Sequence, residues 1–141
     1  MRESLLAIAL VLTAGCDSTG PSEAQLGQEF VLAPNQTAQI EGTGWSVGFR
    51  RVVEDSRCAV DMACVWSGNG AVELDLFDTA PDSLVVLNTS AAAGPTSWTD
   101  GTYELRLVDL TPYPRDEQKI EPAEYRARLV VDHPLSQLRK P

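Results

Sequence analysis

The chain has 141 residues, of which 43% are hydrophobic, and it carries a formal net charge of -9. That length allows one domain with its own core and is too short for two ordinary domains. The acidic excess, without a cluster of Lys and Arg, disfavours both a nucleic-acid interface and a basic patch for anionic lipids. We therefore expect a single acidic globular domain with no nucleic-acid partner.

The N-terminus resembles the signal of a bacterial lipoprotein. An uncharged apolar run over residues 5–12 is followed by the small residues Ala14 and Gly15 and then by Cys16. We predict that residues 1–15 are a cleaved signal peptide and that Cys16 is lipidated, with palmitate among its acyl chains. Two or more acyl chains would anchor the protein stably in a membrane. The expected location is the bacterial cell envelope, facing the periplasm or the cell exterior; ordinary secretion and a buried N-terminal strand are the alternatives.

Residues 16–28 are polar and rich in turn formers, among them Pro21 and two glycines. This composition offers little to bury and predicts a flexible stalk. The stalk would connect the anchor to a folded domain over residues 29–141, which ends in a short C-terminal tail.

Alternation of apolar and polar residues dominates the rest of the chain. Trp45, Val47 and Phe49 follow this period of two, which recurs over residues 72–76 and 125–131. Such a period is typical of strands with one buried face, and Gly, Pro, Asn and Asp mark the turns between them. We predict an all-β fold, a single antiparallel β-sandwich of seven or eight strands, immunoglobulin-like in layout. An antiparallel β-barrel is the alternative.

Two finer predictions concern the placement of strands. Residues 29–33 and 37–41 have the pattern of a short opening pair of strands. The continuous apolar run over residues 84–87 predicts a central strand that is covered on both sides.

Two cysteines remain once Cys16 is assigned to lipid. Cys58 and Cys64 lie in the domain predicted to be exported, so we predict a structural disulfide that shapes its own loop. A redox pair and a metal site are the alternatives. The spacing is not that of a CxxC motif, and a zinc site would need further ligands although His133 is the only histidine. We expect no metal and no cofactor.

The densest polar cluster surrounds these cysteines. Its candidate binding-loop residues are Asp55, Arg57, Asp61, Trp66 and Asn69. In a structural interpretation, Arg57 pairs with Asp55 or Asp61 while the loop folds back over Trp66. The alternatives are a partner-binding loop, for which a rigid turn with charges and an aromatic ring is well suited, and a calcium site made of carboxylates.

The same segment contains the pattern DSRC..D..C.W.G, in which each dot stands for any one residue. It comprises Asp55, Ser56, Arg57, Cys58, Asp61, Cys64, Trp66 and Gly68. This pattern resembles a motif of small bacterial envelope proteins of unknown function, many of them predicted lipoproteins, although Ala59 and Ser67 stand where that group usually has Pro and Ala. Residues 112–114 and Tyr125 are also similar to that group. The resemblance spans about residues 29–131 and implies a shared β fold and an extracytoplasmic setting, but no activity.

The sequence offers no set of catalytic residues. His133 stands near the C-terminus, and no serine lies in a G-x-S-x-G nucleophile motif. The leading hypothesis is a non-enzymatic, membrane-tethered envelope module that binds a protein or peptide through residues 54–69 and the turn at 112–114. A protease inhibitor that presents a rigid loop is one alternative. A glycan-binding or glycan-hydrolysing lipoprotein that uses Asp55 or Asp61 is another, and we expect a monomer.

Overall fold

The protein is described by a computed structural model over residues 22–77, 82–116 and 118–134. The predicted signal peptide, the lipidation site Cys16 and the last seven residues lie outside the described residues. Within the described ranges, nine strands form two separate sheets and there is no α-helix. The predicted all-β sandwich is therefore confirmed over its barrel alternative. None of the described segments forms a helix long and apolar enough to cross a membrane.

The strands follow one another closely along the chain. They are β1 (Ser22–Ala24), β2 (Glu29–Leu32), β3 (Thr37–Ile40), β4 (Ser46–Asp55), β5 (Gly70–Phe77), β6 (Ser83–Asn88), β7 (Ser97–Thr99), β8 (Glu104–Thr111) and β9 (Arg126–Asp132), with a 3-10 turn at Pro122–Glu124 before the last strand. The first sheet has the order β1-β3-β4-β5-β6 and the second has the order β2-β9-β8-β7. All pairs are antiparallel except β1 with β3. The count exceeds the predicted one because three-residue strands are too short to show a period of two.

The core lies between the two sheets and is built from alternate residues of the long strands. Val47 and Phe49 of β4 are fully buried, as are Leu129 and Val131 of β9. Successive side chains on a strand point to opposite faces, so this spacing places one face of each sheet inside. Trp45 closes one end of the core, where its ring centroid lies 5.5 Å from those of Trp98 and Tyr103.

The flexible stalk predicted for residues 16–28 is wrong for its second half. Strand β1 pairs with β3, Ala24 is buried, and the Ala24 carbonyl accepts a hydrogen bond of 2.9 Å from the Glu41 N–H. Leu26 also packs against the core. The segment looks polar as a whole, but these two apolar side chains are enough to attach it to the sandwich.

The opening pair predicted from residues 29–33 and 37–41 does not form. Both strands are present, but β2 pairs with β9 in the second sheet and β3 pairs with β1 and β4 in the first. The turn between them passes from one sheet to the other at the surface, with Asn35 in the left-handed region at φ 66° and its N–H bonded to the Phe49 carbonyl. A short connection between two strands thus joins the two sheets instead of closing a hairpin.

Strand β6 is an edge strand and not the central strand that its apolar run predicts. Leu87 is buried, and Val85 packs against the core, whereas Leu84 and Val86 are exposed on the outer face. The composition of a strand reports how apolar it is. It does not show whether the strand pairs with a neighbour on each side or lies at the edge of the sheet.

Candidate functional site

The candidate loop connects β4 to β5 at one end of the sandwich. Its base is closed like a hairpin, because the Ser56 N–H bonds to the Asn69 carbonyl at 2.7 Å and the Cys58 N–H bonds to the Ser67 carbonyl at 2.9 Å. The predicted disulfide between Cys58 and Cys64 is formed. The loop is therefore held by backbone hydrogen bonds at its base and by the disulfide in its outer part.

Asp55 and Arg57 form a buried ion pair at the base of this loop. Their side chains are 11% and 6% exposed, and the guanidinium binds the carboxylate with two nitrogens, at 2.8 and 2.7 Å. The Tyr125 hydroxyl donates a third hydrogen bond to the same carboxylate at 3.0 Å. We call Asp55, Arg57 and Tyr125 the Arg57 cluster. It confirms the first of the two partners predicted for Arg57.

The Arg57 cluster joins the two sheets. From the end of β4, the Arg57 guanidinium also donates to the carbonyls of Leu110 and Pro112, the latter at 2.9 Å, in the segment where β8 ends. Its central carbon lies 5.2 Å from the centre of the Tyr113 ring, a cation–π contact. Arginine suits this place because its planar fork can satisfy several acceptors at once.

The two ionisable partners of Arg57 in this cluster have shifted pKa values. Burial alone would raise the pKa of Asp55, but the hydrogen bonds and positive charge of Arg57, helped by the Tyr125 hydroxyl, outweigh it and lower that pKa. Burial, followed by the hydrogen bond to the Asp55 carboxylate, raises the pKa of Tyr125 to about 12. At neutral pH Asp55 is therefore ionised and Tyr125 is protonated, and neither group is poised to exchange a proton.

Asn69 is buried and supports the loop from inside. Its amide nitrogen donates to the Asn88 side chain at 2.8 Å, and its amide oxygen accepts from the Ser90 N–H at 3.2 Å. The residue therefore links the end of the loop to the turn that follows β6. Its predicted role at a binding surface is not supported by this position.

Asp61 lies within the disulfide loop and contacts a neighbouring turn. Its carboxylate accepts a hydrogen bond of 2.9 Å from the Asp116 N–H, and the Val60 N–H bonds to the Pro114 carbonyl at 2.9 Å. These contacts brace the loop against residues 114–116. Asp61 does not pair with Arg57, so that alternative for the arginine is wrong.

Trp66 does not lie under the loop as predicted. Its side chain is 74% exposed, next to Val65 at 95%, and Val60 and Met62 are 56% and 51% exposed. We call these four residues the loop tip. The loop folds against the turn at 114–116 instead of covering the tryptophan, so an apolar surface is presented at the end of the sandwich.

A groove of about 460 Å³ opens beside the Arg57 cluster, between β4 and the segment that precedes β9. Its lining is mainly apolar and includes Pro34, Val52, Val53, Ile120, Pro122 and Tyr125. Arg50 and Arg51 also line it, and they are bonded to Asp75 and Glu73 of β5. We call this concavity the β4 groove. Asp55 is also among the residues that line it.

A smaller recess of about 260 Å³ lies on the other side of the loop base, lined by Arg57, Cys58, Gly68 and Tyr113 among others. Tyr113 is exposed, and its hydroxyl donates to Asp109 at 2.7 Å. Tyr113, in the segment predicted to share the binding surface, therefore lies next to the base of the loop.

The remaining candidates occupy other positions. The His133 ring packs against Tyr103, with ring centroids 5.0 Å apart, at the opposite end of the molecule. In the part of the chain that the structure describes, no group of three or more His, Cys, Asp and Glu residues is arranged to hold a metal ion. Neither observation adds a catalytic group to the loop.

The role of Tyr125 in the Arg57 cluster was not predicted from its position in the chain. It is 70 residues from Asp55, and its period of two indicated only a core side chain. No feature of the sequence indicates that Arg57 donates hydrogen bonds to the backbone carbonyls of Leu110 and Pro112. The resemblance to small bacterial envelope proteins, which includes residues 112–114 and Tyr125, is the single feature of the sequence that connects these segments.

Comparison of the chain with protein-family models, with curated proteins and with solved structures finds no match.

Proposed function

We propose that this chain is a non-enzymatic, membrane-tethered module of the bacterial cell envelope that binds an extended segment of a protein or peptide partner. The tether would be the acylated Cys16, as the pattern of the first sixteen residues predicts. The binding site would be the β4 groove, which includes Asp55 and therefore the beginning of the predicted binding loop.

The observation that carries this proposal is the β4 groove itself. Ligand sites are concave, mainly apolar and equipped with a few convergent polar groups, and groups with shifted pKa values are common in them. The groove has a mainly apolar lining that also includes Asp55 and Tyr125, the two groups with shifted pKa values. Its volume of about 460 Å³ suits one or two apolar side chains of an extended peptide.

The state of Asp55 supports a binding role over glycan hydrolysis. A carboxylate that acts as acid, base or nucleophile needs free access to the substrate and a pKa suited to its task. The Asp55 oxygens are occupied by Arg57 and Tyr125, and the pKa of Asp55 is lowered. The pair therefore holds the wall of the groove in place.

Two arginines that line the groove favour a partner segment that combines apolar and acidic residues. Arg50 and Arg51 remain largely exposed, with side-chain exposures of 52% and 64%, although each has an acidic neighbour on β5. A carboxylate of the partner could share these guanidinium groups, while an apolar side chain enters between Val52 and Ile120.

A photo-crosslinking amino acid at Val53 tests this proposal in the native envelope. Val53 lines the groove and is exposed, and Val86 on the outer face of β6 is a control of matched exposure. We expect one identified protein to be crosslinked from position 53 and not from position 86. The purified partner segment should then bind the protein and lose that binding with Ile120→Asp.

A different result would count against the groove. If positions 53 and 86 capture the same proteins, or if the Ile120→Asp variant binds the purified segment as tightly as the native protein, the β4 groove is not the binding site.

A further inference from the structure

Strand β6 is an edge strand without the features that usually keep an edge from pairing. It is six residues long, whereas the other edge strands, β1, β2 and β7, have three, four and three residues. Charged side chains, proline or a bulge normally protect an edge, and residues 83–88 have none of these. Leu84 and Val86 are instead exposed on its outer face. An uncharged apolar edge of this length indicates a strand that pairs with another chain.

The backbone groups that β6 turns outward belong to Leu84 and Val86. The Asn88 N–H bonds to the Pro95 carbonyl, which is not part of β5, so the backbone groups of Asn88 point away from that strand. Successive residues of an antiparallel strand turn their backbone groups alternately to the two sides. Those of Leu84 and Val86 therefore also point away from β5. In the described parts of the chain, no strand lies on that side of β6.

The open part of this edge covers residues 83–87, and its middle residue is Val85. β6 begins at the first of these residues. Pro95 occupies the place beside Asn88, so an added strand has room only as far as the last of them. A second copy of β6 that runs antiparallel to the first fills this stretch when its own Val85 lies opposite Val85.

In this register the two copies satisfy each other's outward backbone groups. Leu84 lies opposite Val86 of the second copy, and the reverse pair follows from the symmetry, so each pair exchanges two backbone hydrogen bonds. The exposed side chains of the same residues then become apolar neighbours across the strands. The edge is thus complementary to itself, which favours a second copy of this chain over an unrelated partner.

The charges on the neighbouring strand are balanced at this edge. Glu73 and Asp75 of β5 lie beside β6, and their carboxylates are bonded to Arg51 and Arg50 of β4. β5 therefore brings no unbalanced charge to this side of the sheet, although the chain has a formal charge of -9. The repulsion that remains between two such chains acts over a longer range, and salt weakens it.

We infer that two copies of this chain associate through β6, with Val85 at the two-fold axis, and join their five-stranded sheets into one continuous sheet of ten strands. A dimer thus takes the place of the monomer expected from the sequence. The inference does not depend on the proposed function. Since β5 lies between β6 and β4, the β4 groove of each copy stays open.

Single cysteine substitutions test the register in the full-length protein in its native envelope. Opposite residues of a pair without backbone hydrogen bonds have Cα atoms about 4.5 Å apart, which a disulfide can bridge. Val85→Cys should therefore crosslink to a second copy under mild oxidation. Val86→Cys is the control, because Val86 is diagonal to Val86 of the second copy, at about 7–8 Å, beyond the usual reach of a disulfide. We expect a dimer band on a non-reducing gel for position 85 and not for position 86.

Sedimentation velocity of the purified full-length protein in detergent measures the association itself. Leu84→Lys should abolish the dimer, because a lysine on an edge strand opposes pairing. Val31→Lys is a matched control on the edge strand β2, since Val31 is 53% exposed and Leu84 is 54% exposed. It should form the dimer as the native protein does. The dimer fraction of the native protein should rise with the salt concentration.

Several results would overturn the inference. A native protein that sediments only as a monomer would exclude the dimer, and a dimer that persists in Leu84→Lys would place the contact on another surface. Equal crosslinking of Val85→Cys and Val86→Cys would contradict the register. The photo-crosslinker at Val86 should capture a second copy of this chain, and capture of a different protein alone would assign the edge to that protein. The β4 groove is tested separately, from position 53.

Discussion

At the scale of single residues, the charged side chains of the candidate loop differ sharply in what they contribute. Arg57 is buried and satisfied by one carboxylate and two carbonyls, so it holds two sheets and one loop together. Arg50 is largely exposed and bonded to Asp75 at 3.1 Å. Exposed pairs contribute little to stability, whereas removal of one partner from a buried pair leaves an uncompensated charge.

Arg57→Ala should therefore lower the free energy of unfolding by about 3–5 kcal/mol, because Asp55 would lose its counter-charge in a buried site. Arg57→Lys keeps the charge but cannot bind several acceptors, so we expect an intermediate loss. In the matched variant Arg50→Ala, the free energy of unfolding should fall by less than about 1 kcal/mol. Urea denaturation of the three proteins measures these differences. Equal losses for Arg57→Ala and Arg50→Ala would contradict the structural role of the cluster.

Ionisation of Tyr125 at alkaline pH should weaken the Arg57 cluster and so lower the stability of the protein. Its pKa of about 12 in the folded protein exceeds the value of about 10 for an unperturbed tyrosine. A raised pKa means that the stabilisation is fully present below about pH 10 and is lost as the pH rises toward 12. Stability should therefore fall more steeply across this window in the native protein than in Tyr125→Phe, as measured by urea denaturation at several pH values. Identical pH profiles would show that the phenol is not held by Asp55.

At the scale of elements, the loop between β4 and β5 is defined by a close approach of its two sides. Gly68 has a φ of +70°, and a Cβ on it would lie 1.8 Å from the Ser56 carbonyl oxygen. Gly70 also leaves no room for a side chain, since a Cβ added to it would lie 2.9 Å from the Leu110 side chain. Gly68, which ends the DSRC..D..C.W.G pattern, therefore lets the loop close over its base, while the disulfide narrows its outer part.

Gly68→Ala should destabilise the protein by more than about 2 kcal/mol, because the left-handed conformation and the clash with Ser56 act together. Gly42→Ala isolates the first effect: Gly42 has a φ of +75°, but nothing lies within 4 Å of its Cβ position. We expect Gly42→Ala to lower the free energy of unfolding by about 1 kcal/mol. Thermal unfolding of both variants provides the comparison. A Gly68 variant no less stable than the Gly42 variant would show that the loop base relaxes without difficulty.

At the scale of the whole molecule, the polar contacts and the apolar surfaces are distributed toward the end that carries the loop. The Arg57 cluster, the β4 groove and the loop tip all lie there, whereas Trp45, Trp98 and Tyr103 close the other end with aromatic packing. β1 lies toward the aromatic end, since its first residue, Ser22, is level with Val47 near the start of β4. The sandwich thus has one densely packed end, beside which β1 lies, and one end that carries the groove and the exposed loop.

Local features of the fold were predictable because they depend on neighbours in the chain. The first half of the strand over residues 46–55 follows from the alternation of Trp45, Val47 and Phe49 with polar or small residues. The bond between Cys58 and Cys64 follows from their proximity and the expected compartment. The pairing of Arg57 with Asp55 is also local, since they are two residues apart. The exposure of Trp66 was not predictable, because the backbone contacts with residues 114–116 decide which way the loop folds.

The sequence by itself determined that this chain forms a small acidic all-β domain with a disulfide loop, since the period of two, the turn residues and the cysteine spacing are properties of short segments. Only the tertiary structure decided that β2 and β3 lie in opposite sheets and that β6 lies at an edge. It also decided that Tyr125 completes the Arg57 cluster and that the β4 groove and the loop tip share one end. The physical reason is that sheet order and side-chain burial depend on which distant strands exclude water from each face, and that choice is made by the packing of the whole domain.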